Sequence, residues 1–385
     1  MRLADLIAAY PTVRLAAQED NARILEFFER TPMQTEAFDV QYRRRPDFFK
    51  LLRYQGDRVF VFISENEAGE VRGVGSISLR PGWVGGKPVT IGYLGDLRVS
   101  MDRALARIWR RIFSELLSNA HLIEEIADCS HWYTAVIDGN RGYLNNFNTG
   151  RPRPDRLSLV PIAPFTMRNL IMRLPLAGRF GGRRWKVRGT EARDEDALLS
   201  FFEEENRRAP LGFRGEMARR MSVWDGLTLD RFVHASDAQG MVACVAPWSP
   251  GQVKQTVVSR LPASLKLIGM AARALPKAPL RMPTAGEQLR VPYLTHLTFA
   301  ARLTPGERAE VFLSLLHHLF DGWRGADWHC VSFCDFGSWN LGRALGGFIQ
   351  QTVPITLYAV APPGAARSAE ALRGACPPGF EMAMV

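Results

Sequence analysis

Apolar positions in the first hundred residues follow a helical period in some segments and alternate with polar positions in others. A short strand at Val13 precedes ARILEFFER, whose apolar residues fall on one face of a helix with Asp20 as its N-cap. RRRPDFFKLLRYQ predicts a second helix with Pro46 in its first turn. The segment from VFVFISE to GYLGDLRV then predicts three strands, separated by the turns NEAGE and GWVGGK.

A helix from about Asp102 to His121, a strand at HWYTAVID and a turn at Gly139 with a short helix complete this pattern. In RALARIWRRIF the apolar residues face a core and the arginines face water, whether or not the loop before it binds a ligand. Strands followed by helices in this order predict an α/β fold of mixed α+β layers.

The pattern occurs twice in the chain. Val13, Arg14 and Asp20 match residues 174 positions later, YLGDLRV (93–99) matches YLTHLTF (293–299), and HWYTAVID (131–138) matches WHCVSFCD (328–335). Three matches in the same order predict two tandem copies of one fold. We expect domains at 1–165 and 185–385, joined by a basic linker at 166–184 that contains Pro and Gly.

Composition and charge narrow the function classes. The 385 residues are 46 % hydrophobic and 23 % charged, which is globular, and the net charge of +10 suggests an anionic partner or simply a basic soluble protein. The longest apolar runs are too short for a membrane span, and the N-terminus does not read as a signal peptide. The five scattered cysteines favour a cytoplasmic protein over a disulfide framework.

A metal site is not expected. His329, Cys330 and Cys334 lie close together, but the segment reads as a buried strand, and no second pair of ligands has a suitable spacing.

The order of elements and the motif YLGDLRV resemble the GNAT N-acetyltransferase superfamily. Asn140 takes the place of the Asn that follows the family's fifth strand, and Gly347-Phe348 takes the place of its Gly-Phe in the second copy. The resemblance implies two GNAT-like domains, each a mostly antiparallel twisted sheet flanked by helices. It also implies acetyl-CoA as co-substrate, bound where the fourth and fifth strands separate.

The resemblance assigns the cofactor to backbone groups of the fourth strand and to the helix start that follows it. The residues concerned are Leu97, Val99, Arg103, Ala104, Ala106, Arg107 and Asn140. Alanines stand where the family has glycines, and the two arginines would compensate by contacting phosphate. This site requires free amide hydrogens between Arg103 and Arg107. In the second copy Glu307 would repel a phosphate, so we expect no CoA there.

Catalytic candidates follow from the same resemblance. Asp96 in YLGDLRV would take the proton of the attacking amine, unless it only caps a neighbouring turn. Its counterpart, His296, is either a second such group or a buried, hydrogen-bonded histidine. Tyr143 would protonate the departing thiolate, although Phe147 occupies the position where a Tyr is expected and Tyr143 would as readily serve in packing.

The sequence and the resemblance therefore predict an N-acyltransferase that moves an acyl group from acyl-CoA to an amine of a small molecule or peptide. By the family's example, the acyl group would be acetyl. The first copy would be active, and the second structural or substrate-recognising. One alternative is a non-catalytic GNAT-like binding protein. Another is an aminoacyl-tRNA-dependent transferase, which the net charge suits, although no basic-aromatic run typical of an RNA-binding sheet is present. The oligomeric state is left open.

Overall fold

The computed structural model describes most of the chain. The described residues are 1–31, 39–100, 102–145, 147, 156–174, 185–260, 283–323, 327–362, 365, 369–370, 372–374 and 376–385. We call residues 1–173 the first half and residues 185–385 the second half. Most of the predicted linker, at 175–184, lies outside the described residues.

The first half begins with short helices and continues into long strands. Its helices are α1 (Leu3–Ile7), α2 (Asn21–Arg30), α3 (Phe48–Gln55), α4 (Arg103–Ser118) and α5 (Arg141–Leu144). Its strands are β1 (Val13–Leu15), β2 (Asp39–Arg43), β3 (Arg58–Glu65), β4 (Val71–Val84), β5 (Lys87–Val99), β6 (Cys129–Ile137) and β7 (Ser158–Arg173).

The second half follows a similar order. Its helices are α6 (Glu195–Arg208), α7 (Glu216–Val223) and α8 (Pro305–Gly322). Its strands are β8 (Lys186–Gly189), β9 (Gly212–Phe213), β10 (Val233–Asp237), β11 (Gly240–Trp248), β12 (Gln255–Arg260), β13 (Tyr293–Phe299), β14 (Val331–Phe336) and β15 (Phe348–Ala361). None of the helices in the described part of the chain is long and apolar enough to span a membrane.

One continuous sheet runs through both halves, in the order β1-β3-β4-β5-β6-β15-β7-β14-β13-β11-β10-β8. Its neighbours are antiparallel except for two parallel pairs, β5 with β6 and β13 with β14. These two pairs occupy equivalent places on either side of the centre. Strands β2 and β12 form a separate ribbon that joins the halves.

The two central strands are exchanged between the halves. Strand β7 follows β6 in sequence but pairs with β14, and β15 follows β14 but pairs with β6. Along their length β7 and β15 also pair with each other. Residues 166–173, expected to be linker, therefore belong to a strand, because their backbone groups complete the ladder between the halves.

The repeated sequence at the start of each half makes the same contacts. The Arg14 guanidinium donates two hydrogen bonds to Asp20, at 2.7 and 2.8 Å, and Arg188 donates two to Asp194, both at 2.6 Å. The sequence predicted that the Asp20 side chain caps α2, and this prediction is wrong. The Asp20 carboxylate accepts a hydrogen bond from the Ala17 amide instead. The spacing that the two halves share therefore places an arginine and an aspartate so that their ion pair closes a tight turn.

Local signals account for the other helices. Helix α3 begins at Phe48 with Asp47 as N-cap, so Pro46 precedes the helix and does not lie in its first turn. Helix α4 packs on β4 through Trp109, whose indole would lie within 2.9 Å of a Cβ at Gly73 or Gly75. Glycine at these two positions allows the helix to approach the sheet closely.

Candidate functional site

Strands β5 and β6 separate part-way along their length. Their parallel pairing ends at Tyr93 and Tyr133, whose rings lie 5.0 Å apart between centroids. Beyond this point β5 continues to Val99, paired only with β4. Leu97 and Val99 lie in this separated part of β5, half-buried against the core beneath α4. The expected divergence of the fourth and fifth strands is therefore present.

A β-bulge lies at the start of the separation. The register between β4 and β5 shifts at Ser76, and Asp96 adopts a left-handed backbone with φ of 55°. This conformation costs a non-glycine residue roughly 1–2 kcal/mol and needs support from its surroundings. The Asp96 side chain provides it, because its carboxylate accepts hydrogen bonds from Arg44 at 2.6 Å and from Ser76 at 3.0 Å.

The start of α4 differs from the expected phosphate loop. Asp102 is the N-cap, and its carboxylate accepts from the amides of Ala104 at 2.8 Å and Leu105 at 3.3 Å. The Ala106 amide already bonds to the Asp102 carbonyl. The three amides between Arg103 and Arg107 are therefore occupied, two by the Asp102 carboxylate and one by its carbonyl, where the sequence analysis required them to be free.

Two cations remain beside this helix start. Arg103 and Arg107 are exposed, and neither forms an ion pair with any residue in the described part of the chain. They lie one turn apart on α4, so their guanidinium groups project from the same side. These side chains are able to reach a phosphate group, whereas the amides behind them are capped.

Asn140 and Tyr143 lie at the end of β6. The Asn140 side chain caps α5 by accepting from the Tyr143 amide at 3.1 Å. Burial raises the pKa of the Tyr143 hydroxyl, and a hydrogen bond with Thr134 partly offsets this. The Tyr143 ring lies 4.9 Å from that of Phe147. Tyr143 therefore stays protonated near neutral pH and packs beside the separated strands.

Three cations near Asp96 were not found by sequence analysis. Arg44 is 5 % exposed and pairs with Asp96, while Arg98 donates to the carbonyls of Phe28 and Thr31. Burial lowers the pKa of Arg98 to about 10. Burial and the nearby Arg44 charge lower the pKa of Lys254 to about 7. Arg98 lies within YLGDLRV itself, two residues after Asp96, but the sequence analysis gave it no role. No motif marks Arg44 or Lys254, because β2 and the β12 region approach Asp96 only in the folded chain.

The second half has an equivalent bulge at His296, where φ is again 55° and the register of β11 with β13 shifts. The His296 ring is buried among Phe202, Trp224 and Phe232. Burial and the Arg220 charge lower its pKa well below the usual value. Of the two interpretations offered by the sequence, the structure shows the buried, hydrogen-bonded histidine.

The His296 amide is bonded to a carboxylate from the end of the described chain. The Glu381 side chain accepts from it at 2.7 Å and lies 3.6 Å from Arg220. Burial raises the pKa of Glu381 to about 7, and the Arg220 charge opposes this effect. Within the described residues no side chain accepts from the Asp96 amide. The two bulges thus have the same backbone but different surroundings.

A cavity of about 170 Å³ lies in the second half, where β13 and β14 separate beyond their single pair, Tyr293 and Ser332. Aromatic side chains form much of its wall, and Glu205, Arg308 and Glu381 contribute charge. Helix α8 starts beside it with a capping box, in which Thr304 and Glu307 satisfy each other's amides. The carboxylate of Glu307, which the sequence analysis expected to repel a phosphate, therefore bonds to the chain's own Thr304 amide at this helix start.

Comparisons with known proteins bear on the fold. No family model matches the chain, and no curated protein matches its sequence. Two structures of Saccharomyces cerevisiae N-myristoyltransferase with bound myristoyl-CoA are similar to it. One has a TM-score of 0.51 at 13 % identity and covers 91 % of this chain and 84 % of that one. The other has a TM-score of 0.56 at 11 % identity, with coverages of 91 % and 81 %.

A further similar structure is the GCN5-related glucosamine N-acetyltransferase region of a fungal multi-domain GH3 β-N-acetylglucosaminidase. It has a TM-score of 0.53 at 10 % identity and covers 90 % of this chain and 38 % of that one. At such identities the likeness concerns the fold alone. The predicted GNAT fold, with mixed sheet and flanking helices extending over both halves, is confirmed.

Proposed function

We propose that the protein is an N-acyltransferase that transfers an acyl group from acyl-CoA to an amine, with the thioester held in the first half. The observation that carries this proposal is the separation of β5 from β6 beyond Tyr93, with a bulge at Asp96 where the separation begins. Backbone groups on the separated edge of β5, near Leu97 and Val99, have no partner strand on β6 and are suited to bind an extended pantetheine arm.

The chemistry requires few groups. The amine nitrogen attacks the thioester carbonyl carbon, the C–N bond forms and the C–S bond breaks. Asp96, directly or through water, takes the proton that the amine loses. Tyr143, which its buried position keeps protonated, gives a proton to the CoA thiolate. Because Asp96 already accepts from Arg44 and Ser76, relay through water suits its geometry better.

The phosphates of the donor are assigned to the start of α4. Arg103 and Arg107 supply exposed positive charge, and Asn140 orders the facing turn. The carboxylate of Asp102 must leave the Ala104 and Leu105 amides if a phosphate is to take its place. Loss of an N-cap costs about 1 kcal/mol, an amount that charge-assisted bonds from two arginines can offset.

The second half is assigned to the acceptor. Its cavity of about 170 Å³ is close in size to a 150 Å³ protein cavity that binds benzene, so it suits a single apolar side chain. Tyr293 lines this cavity and also packs on Lys254, which lies near Asp96. The acceptor would thus extend from the cavity towards the thioester, as a small-molecule or peptide amine.

The experiment is a thiol-release assay with acyl-CoA donors from acetyl- to myristoyl-CoA, together with thermal unfolding in their presence. A bound donor at 100 times its Kd stabilises the protein by about 2.7 kcal/mol, and the double variant Arg103→Gln, Arg107→Gln should reduce the shift. Arg193→Gln, an exposed change in the second half, is the matched control. Absence of both a shift and thiol release with every donor contradicts the proposal.

A non-catalytic binding protein is the second candidate. The favouring observation is that carboxylates of the chain itself cap the starts of both α4 and α8. This function predicts no thiol release from any donor. Because the net charge is +10, RNA is included as a ligand in the same experiment. Salt-sensitive RNA binding in place of acyl-CoA binding would favour a nucleic-acid ligand or a tRNA-borne donor.

A further inference from the structure

Arg44 has an unused hydrogen-bond donor in a buried place. Its Nη2 donates to Asp96 at 2.6 Å, whereas Nη1 is buried and has no hydrogen-bond partner in the described part of the chain. The guanidinium lies 5.7 Å from the ring centre of Phe28 and 5.9 Å from that of Phe48, so aromatic rings restrict its movement.

A buried charged donor without a partner is costly, and such groups in native proteins usually have a role. The guanidinium is planar and offers paired N–H groups, a geometry that fits the two oxygens of a carboxylate. Asp96 uses one side of Arg44 and leaves the other available. The Nη1 side of Arg44 is therefore suited to an external oxygen anion.

The surrounding charges favour an anion as well. Arg98 and Lys254 lie close enough for Asp96 and Arg44 to influence their pKa values, and Asp96 is the carboxylate that faces them. Lys254 donates to main-chain oxygens of Met382 and Val385, so part of its hydrogen-bonding capacity is already used within the chain. Among side chains, an added anion would meet the cations Arg44, Arg98 and Lys254 and the carboxylate of Asp96.

The position of Arg44 indicates which substrate would bring the anion. Arg44 follows β2, which pairs with β12 of the second half, and Lys254 directly precedes β12. Lys254 packs on Tyr293, whose ring lines the cavity. Arg44 is thus connected through its neighbour Lys254 and through Tyr293 to the cavity assigned to the acceptor, whereas the donor phosphates are assigned to α4.

We propose that Arg44 binds a carboxylate of the acceptor through Nη1, so that the substrate class is an amine that also carries a carboxylate, such as an amino acid. Identification of this ligand as the acceptor rests on the proposed function; the carboxylate contact itself does not. Its apolar side chain would enter the cavity, and its amine would face Asp96.

The test compares matched ligands, the twenty L-amino acids and their carboxamides, which differ only in the carboxylate. Binding is measured by calorimetry without acyl-CoA, and thiol release is measured with acyl-CoA. We expect at least one amino acid to bind roughly tenfold to a hundredfold more tightly than its amide. Arg44→Lys, which retains a charge for Asp96, should abolish this discrimination, and Arg53→Lys on an exposed pair should preserve it.

The outcomes separate the two proposals. Discrimination without thiol release supports the Arg44 site and contradicts acyl transfer. Thiol release that is equal for acids and amides supports acyl transfer and overturns the Arg44 site. If no amino acid binds better than its amide, Nη1 is satisfied by water alone and the inference is wrong. The comparison within the wild-type protein holds even if Arg44→Lys fails to fold.

Discussion

The bulge at Asp96 and the bulge at His296 have the same backbone and different chemistry. Both residues have φ of 55°, and both lie where two parallel strands begin to separate. The His296 backbone amide donates to the Glu381 carboxylate, and both the His296 ring and the Arg220 side chain are buried. At Asp96 the side chain joins Arg44, whose second nitrogen is unused.

This difference shows how one fold serves two purposes. A bulge supplies a strained backbone and an aimed side chain in either half. In the second half, side chains of the protein satisfy the groups around it, which favours stability. In the first half, Arg44 keeps an unused hydrogen-bond donor, and Arg103 and Arg107 are exposed without ion-pair partners among the described residues. These groups favour the binding of a ligand. Substitutions in each half can test whether this contrast holds.

The largest effect is expected at Arg220, which is 2 % exposed and faces both Glu216 and Glu381. Arg220→Ala leaves the buried Glu381 without its cation and leaves Glu216 with Arg219 alone, so it should lower the free energy of unfolding by about 3–5 kcal/mol. Urea unfolding measures this. Arg193→Ala, on an exposed pair with Glu191, should change it by less than about 1 kcal/mol. If both variants lower the free energy of unfolding equally, the buried cluster around Arg220 stabilises the protein no more than an exposed ion pair does.

A pH effect should arise from Glu381, whose pKa rises from an ordinary 4.5 to about 7 in the folded protein. Between these values the native state holds a proton that the unfolded chain has lost. The free energy of unfolding therefore falls as pH rises through this window, by up to about 3 kcal/mol. Urea unfolding of wild type and Glu381→Gln from pH 4.5 to 7 tests this. Parallel curves would show that Glu381 does not titrate there.

The helix caps offer a matched pair. Asp102→Ala and Thr304→Ala should each lower the free energy of unfolding by about 1 kcal/mol, because each removes an N-cap. Asp102→Ala should also tighten acyl-CoA binding, since it frees the Ala104 and Leu105 amides and removes a negative charge. Thr304→Ala should leave that affinity unchanged. An unchanged affinity in Asp102→Ala would separate the start of α4 from the donor site.

The smallest effect concerns single arginines near the two helix starts. Arg107→Gln should weaken acyl-CoA binding about two- to fivefold, as expected for an exposed charge contact. Arg308→Gln, beside the start of α8, should leave the affinity unchanged because Glu307 occupies that helix start. Calorimetric titration of acyl-CoA into both variants compares them. Equal losses would indicate that the donor contacts both halves.

Much of the fold was predictable from local patterns. The three strands ending in YLGDLRV, the amphipathic helix at Arg103–Ser118 and the strand at HWYTAVID follow from the periodicity of their apolar residues. The pairing of Arg14 with Asp20 left a repeated spacing in the sequence, because both partners lie within one turn. The exchange of β7 and β15 left no such sign, since either strand completes the same ladder in either half.

The candidate site was only partly predictable. Asp96 and Tyr143 could be proposed from the sequence because a motif marks the strand and turn that hold them, and their catalytic roles stay predictions. Asp102 is of a residue type that commonly caps helices. The resemblance to the GNAT superfamily nevertheless placed a phosphate site at the arginines and alanines after it. Arg44, Lys254 and Glu381 carry no local signal, because each reaches its bulge from a distant segment.

Local sequence patterns fix the elements, their repetition and the two strands YLGDLRV and YLTHLTF, since these depend on interactions among near neighbours. Which of the two bulges has its groups satisfied by the protein, and which retains an unused donor, depends on the packing of distant segments. Burial and charge at one point depend on chains that meet from far apart, as Arg44 and Lys254 do beside Asp96, and as Arg220 and Glu381 do beside His296. The partners of a buried group therefore follow from packing and not from its own neighbours in sequence.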